Sequence, residues 1–168
     1  MPKPADVVAV DPGGRRCGVV HRRGDELVDF IMMVRHPEES LTSWVRQTSD
    51  AAAYLYSRAH IGGRELWNGT RIIVACEDLN EPSPHVRTTN VRGILDTSAV
   101  IGGLARAFGD LLLLVPPAGF GTAPLPAYPE QLRGTREHKG RGVLRDCRQA
   151  WDIAAAAADL ARLQGAAR

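Results

Sequence analysis

The stretch VVAVDPGGRRCGVV, residues 7–20, constrains the fold more than any other part of the chain. Valine-rich runs on both sides of a Pro-Gly-Gly turn read as two consecutive strands, the first apolar enough to be buried on both faces. Such a turn needs glycine. It does not need Asp11, whose carboxylate leaves a buried strand directly for the cations Arg15 and Arg16. A buried charge is costly unless something compensates it, so Asp11 marks a site and the rest of the chain has to supply its partners.

A Gly-Asp hairpin signal at 24 and 25 leads into a third run, ELVDFIMMV, completing an antiparallel meander. The next segment opens with Pro37 and acidic residues and spaces Leu41, Trp44, Val45, Ala52 and Leu55 as one helical face requires, with Gly62 and Gly63 closing it. TRIIVACED is a fourth strand ending in Cys76-Glu77-Asp78, and the prolines of LNEPSPHVRTTN bar regular structure after it. A helix over 95–108 follows, where Gly102 and Gly103 allow close packing, and then a fifth strand, DLLLLVPP. A Pro/Gly-rich connection and a basic segment precede an alanine-rich helix from Asp146 to Gln164. The order β-β-β-α-β-α-β-α predicts an α/β fold: a mixed five-stranded sheet, three strands antiparallel and two parallel, flanked by helices. Asp11 and Glu77 then end two strands that can be neighbours, where ligands of such sheets bind.

A chain of 168 residues suits one domain spanning 1–168. Its apolar stretches fall short of the roughly 20 residues of a membrane helix, and MPKPADVVAV has no signal-peptide pattern, so the expectation is a soluble, cytoplasmic protein with no membrane partner. Cys17, Cys76 and Cys147 are odd in number and far apart, which fits packing or free thiols rather than disulfides or zinc. The net charge of +2 predicts no partner by itself, but its distribution is informative. Arg133, Arg136, Lys139, Arg141, Arg145 and Arg148 face only Glu137 and Asp146 within residues 133–148, as expected of a phosphate-binding segment or a solvated loop.

Carboxylates converging from several elements suit Mg²⁺ or Mn²⁺, hard ions that take oxygen ligands. Two such ions can activate water and stabilise the leaving oxygen of a phosphodiester, which calls for three or four acids. Asp11 and Glu77 provide two, and the last helix offers Asp152, set among small residues, and Asp146 near its start, where aspartate also caps helices. Asp159 reads as a solvated charge or an arginine partner, and Asp78 points to the sheet face opposite Glu77.

With these pieces in hand the chain resembles the RuvC-type Holliday-junction resolvases of the RNase H-like, or retroviral integrase, superfamily. The matching segments are VVAVDPG with CGVV, RIIVACED, TTNVRGILDTSAVIGGLARAF and DCRQAWDIAAAAADL, in the family's order over nearly the whole chain. The resemblance implies a homodimeric nuclease, dependent on two Mg²⁺ or Mn²⁺ ions per site, that resolves four-way junctions by paired symmetric nicks. It assigns Asp11, Glu77 and Asp152 as catalytic metal ligands. For the remaining ligand, family members differ: three residues before the last Asp stands Gln149, whereas a position further upstream selects Asp146, the residue preferred here. Arg15, Arg16, Arg87 and Arg92 are expected to meet phosphates near the site, and the basic segment from Arg133 to Arg148 to grip the DNA arms. The segment after Glu77 lacks the aromatic that family members often carry there, which points to looser selectivity extending to flaps and forks. The compact, divergent form fits a phage enzyme. Two other readings stand beside this one: the phosphate loop of actin-like ATPases, for which the chain is too short, and a degenerate nucleic-acid-binding domain, whose signature would be loss of the acids.

Overall fold

The computed structural model describes residues 5–62, 72–79, 91–134, 142 and 144–166. Strands β1 (Asp6–Asp11), β2 (Arg16–Arg23) and β3 (Glu26–Val34) form the meander, and Gly24 turns the second hairpin at φ 57°. Helix α1 (Leu41–Gly62) leads to β4 (Ile72–Glu77), and α2 (Val91–Phe108) to β5 (Leu112–Val115). A short α3 (Glu130–Arg133) precedes the long α4 (Arg145–Ala166). The sheet order is β3-β2-β1-β4-β5, with β1 antiparallel to β2, β2 to β3, and β4 parallel to both β1 and β5. This is the expected mixed sheet.

Strand alternation divides the core into two. Val8, Val10, Cys17, Val19 and Cys76 face α1 and α2, packing on Trp44, Leu55, Val100 and Leu104. Val7, Ala9 and Ala75 face α4, packing on Ile153, Ala154 and Ala157. Since side chains alternate with period two, Asp11 shares the α4 face with Val7 and Ala9, and Glu77 shares it with Ala75. The three cysteines are buried and free, as expected.

Ser40 starts α1 by accepting from the Ser43 amide at 3.1 Å, a cap on one of the helix's unpaired first donors. Gly103 lets α2 approach α1, because a Cβ there would run into Val45. Gly18 does the same for α4: an added Cβ would lie 2.5 Å from the Cys147 amide nitrogen and closer still to the carbonyl of Asp146. Two features differ from expectation. Helix α2 begins at Val91 rather than near Leu95 and runs into a 3-10 turn at 109–111 before β5, and the connection before α4 contains a 3-10 turn at 125–127 and α3. Among the described residues no helix is long and apolar enough to cross a membrane.

Candidate active site

Asp11 pairs with Gly18 across the β1–β2 ladder, and Gly18 is where α4 touches the sheet. Because Val10 is in register with Cys76, the parallel ladder sets Asp11 beside Glu77 at the adjacent strand ends. Asp146, in the first turn of α4, completes the group. The closeness is felt electrostatically: burial first, then the charges of Asp146 and Glu77, push the Asp11 carboxyl well above its usual range, against the opposing pull of Arg145 and Arg16. Burial also raises Glu77. Asp11 is 9% exposed, so bulk water does little to relieve the repulsion.

Asp146 is not the helix cap, since α4 already begins at Arg145. Its Oδ2 instead lies 2.8 Å from Arg16 Nε, and Arg16 also donates to the Gly142 carbonyl at 3.3 Å. Three carboxylates from two strands and a helix offer the oxygen donors that hard divalent cations take. Their burial and mutual repulsion are relieved by added positive charge. The donor chemistry therefore suits such an ion. Among the described residues, however, no three His, Cys, Asp or Glu side chains stand close enough together to hold a metal ion.

Asp152 is placed elsewhere. Six residues beyond Asp146, it lies about 9 Å further along the helix and about 120° around it, off the face that Cys147, Ala150, Ile153, Ala154 and Ala157 present to the sheet. Its Oδ2 accepts from the Gly121 amide at 2.8 Å and from the Tyr128 hydroxyl at 2.9 Å, fastening the 119–128 segment over α4. Tyr128 is pushed up to about 12, by burial first and then by Asp152. Gln149 also packs toward this segment, at Gly121. The structure brings together Asp11, Glu77 and Asp146, and not Asp152.

A cleft of about 870 Å³ opens between the turn that follows Asp11 and the start of α2, and Asp11, Glu77 and Asp146 are not among its lining residues. Gly14, Arg15, Arg16, Arg35, His36 and Arg92 are among its lining residues. Arg15, Arg92 and Arg145 are exposed, as phosphate contacts must be. Arg133 is exposed but turned back on its own segment, donating to the carbonyls of Tyr128 at 2.8 Å and Pro126 at 3.2 Å. Arg148 corrects the expectation of a DNA contact: it is 1% exposed, donates to the Leu132 carbonyl at 3.0 Å and lies over the Tyr128 ring. A side chain sealed between α4 and its cover cannot reach a phosphate. Arg87, Arg136, Lys139 and Arg141 lie outside the described residues. Asp159 has the expected arginine partner, Arg162. Arg35 and Asp96, joined at 3.0 Å in the cleft wall, were not anticipated; a lone acid in the apolar helix segment GILDTSAV was the available signal.

No protein-family model matches the sequence, and no curated protein does. Solved structures do match. One is Thermus thermophilus RuvC in complex with a Holliday junction substrate: 15% identity, 95% of this chain and 96% of that one covered, TM-score 0.59. A second structure of Thermus thermophilus RuvC gives 16% identity, 94% and 96% coverage, and a TM-score of 0.52. The likeness is one of fold, and it runs over almost the full length of both chains: this protein has the RNase H-like architecture of RuvC.

Proposed function

We propose that the chain is a divalent-cation-dependent nuclease that cuts branched DNA, with four-way junctions as its main substrate. The observation that carries this reading is the convergence of Asp11, Glu77 and Asp146 on the α4 face of the sheet, in a fold shared with a protein solved on a Holliday junction. These three carboxylates would hold Mg²⁺ or Mn²⁺. Bound there, the ion supplies Lewis-acid stabilisation of the phosphodiester and a more acidic water. Asp11 has to give up its proton for this role, and Arg145 and Arg16 are the groups that favour the charged form. Arg16 also forms an ion pair with Asp146. Arg15, Arg92 and Arg145 position the phosphate backbone without reading bases. Symmetric nicks on a junction require two copies of the site, hence a homodimer with twofold symmetry.

The test is incubation of the purified protein with labelled four-way junction, 5′-flap and linear duplex in Mg²⁺ or Mn²⁺. Paired symmetric nicks confined to the junction are the expected result. Equal cutting of flaps widens the substrate class to branched DNA in general, and binding without metal-dependent cleavage of any substrate overturns the reading.

A further inference from the structure

Arg35 follows directly on β3, and its amide donates to the Arg15 carbonyl at 2.8 Å, carrying the ladder one residue beyond the strand. Its guanidinium reaches three separate segments. Nε and Nη2 donate to the Glu39 carbonyl at 3.1 and 3.0 Å, ahead of α1. Nη1 donates to the Gly14 carbonyl at 3.3 Å, in the turn that follows Asp11, and to Asp96 Oδ2 at 3.0 Å, on α2. The two side chains are only 14% and 15% exposed.

The neighbouring contacts concern the same turn. The Trp44 indole donates to the Gly13 carbonyl at 3.0 Å, so successive carbonyls of the turn are each held by a side chain from outside it. Gly14 permits Asp96 to close on it, since a Cβ there would lie 2.6 Å from the Asp96 Cβ. Arginine suits this place because its planar fork of five donors can serve several acceptors at once, which an ammonium group on a flexible stem cannot. Unlike the exposed Arg15 and Arg92, Arg35 meets its countercharge within the protein.

We propose that Arg35 is a positioning residue: paired with Asp96, it locks the Asp11 turn to the start of α2 and so fixes the acidic centre relative to the cleft. The proposal rests on the nuclease reading above for its kinetic consequence and on the contacts alone for its structural one. The experiment compares the full chain with R35Q, R35K and D96N in junction binding across salt, in nicking kinetics, and in amide exchange at residues 13–16.

The expected result is that R35Q and D96N act in the same direction. Each lowers kcat by up to about 10²-fold, the effect of an ångström-scale misplacement. Each leaves the junction Kd within about twofold and the salt slope unchanged, since no phosphate contact is lost. R35K does not rescue, and exchange at 13–16 quickens in all three variants while α4 stays protected. Effects of opposite sign overturn the proposal: R35Q weakening binding and flattening the salt slope by about 0.9, with D96N tightening binding, would make Arg35 a phosphate ligand. If the wild-type chain nicks no DNA, the nuclease reading fails instead. Amide exchange then decides the role of Arg35 alone, and unchanged exchange in R35Q overturns it.

Discussion

Replacing Gly18 with alanine tests whether the close approach of α4 to the sheet sets the acidic centre. The added Cβ would lie 2.5 Å from the Cys147 nitrogen, whereas non-bonded heavy atoms settle at about 3.5–4.0 Å. The first turn of α4 must therefore retreat by about 1 Å, and because the obstruction is backbone, no rotamer change can absorb it. Overpacking of this kind costs about 1–3 kcal/mol. For a chain of this size each kcal/mol moves Tm by about 2–4 °C, so a fall of about 2–12 °C is expected. The same retreat carries Asp146 away from Asp11, and a misplacement of about 1 Å costs about 10²-fold in rate. Thermal melts and junction nicking on one preparation read both quantities. G102A is the comparison: nothing lies within 4 Å of a Cβ there, and removing glycine from a helix interior should stabilise by up to about 1 kcal/mol. A G18A protein with wild-type Tm and nicking rate would refute the reasoning.

Burial and two neighbouring carboxylates raise Asp11 in the folded chain. The folded state then holds that proton more tightly than the unfolded one, and the associated stability, complete below about pH 4, is lost as pH rises through the folded value. D11N should therefore melt above wild type at pH 8 in divalent-free buffer, with the gap closing toward pH 4; a gap independent of pH would count against the assignment. Added Mg²⁺ should raise the Tm of wild type and not of D11N, by mass action on the folded state. R92Q should flatten the salt dependence of junction binding by about 0.9 in slope, whereas R148M should cost about 1–3 kcal/mol of stability and leave that slope unchanged.

The sheet was readable because each strand carries its own signal. Apolar runs bounded by Gly-Gly and Gly-Asp give β1 to β3, and Glu77 ends the buried run of β4 as Asp11 ends β1. The last helix was harder. It is covered on both sides, by the sheet and by the 119–134 segment, so small residues around Asp152 do not say which side that residue faces. The period does say it: Asp146, Ala150, Ile153 and Ala157 recur at helical spacing on the sheet side, and Asp152 does not. Arg148 fell into the same gap. Counted within a basic run it looks like a DNA contact, yet Leu132 and Tyr128 from the proline-rich connection enclose it. Neither the sequence interval nor the charge count reveals a cover formed 16 to 20 residues upstream.

Cleavage of a labelled four-way junction in Mg²⁺ by wild type, D146N and D152N, with the nicks mapped on each strand, tests the central claim most directly. Wild type should make paired nicks. D146N should abolish them, and D152N should keep them at a lower melting temperature, because Asp152 fastens Gly121 and Tyr128. Cleavage retained in D146N and abolished in a well-folded D152N would contradict the account, moving the reactive centre away from Asp11, Glu77 and Asp146.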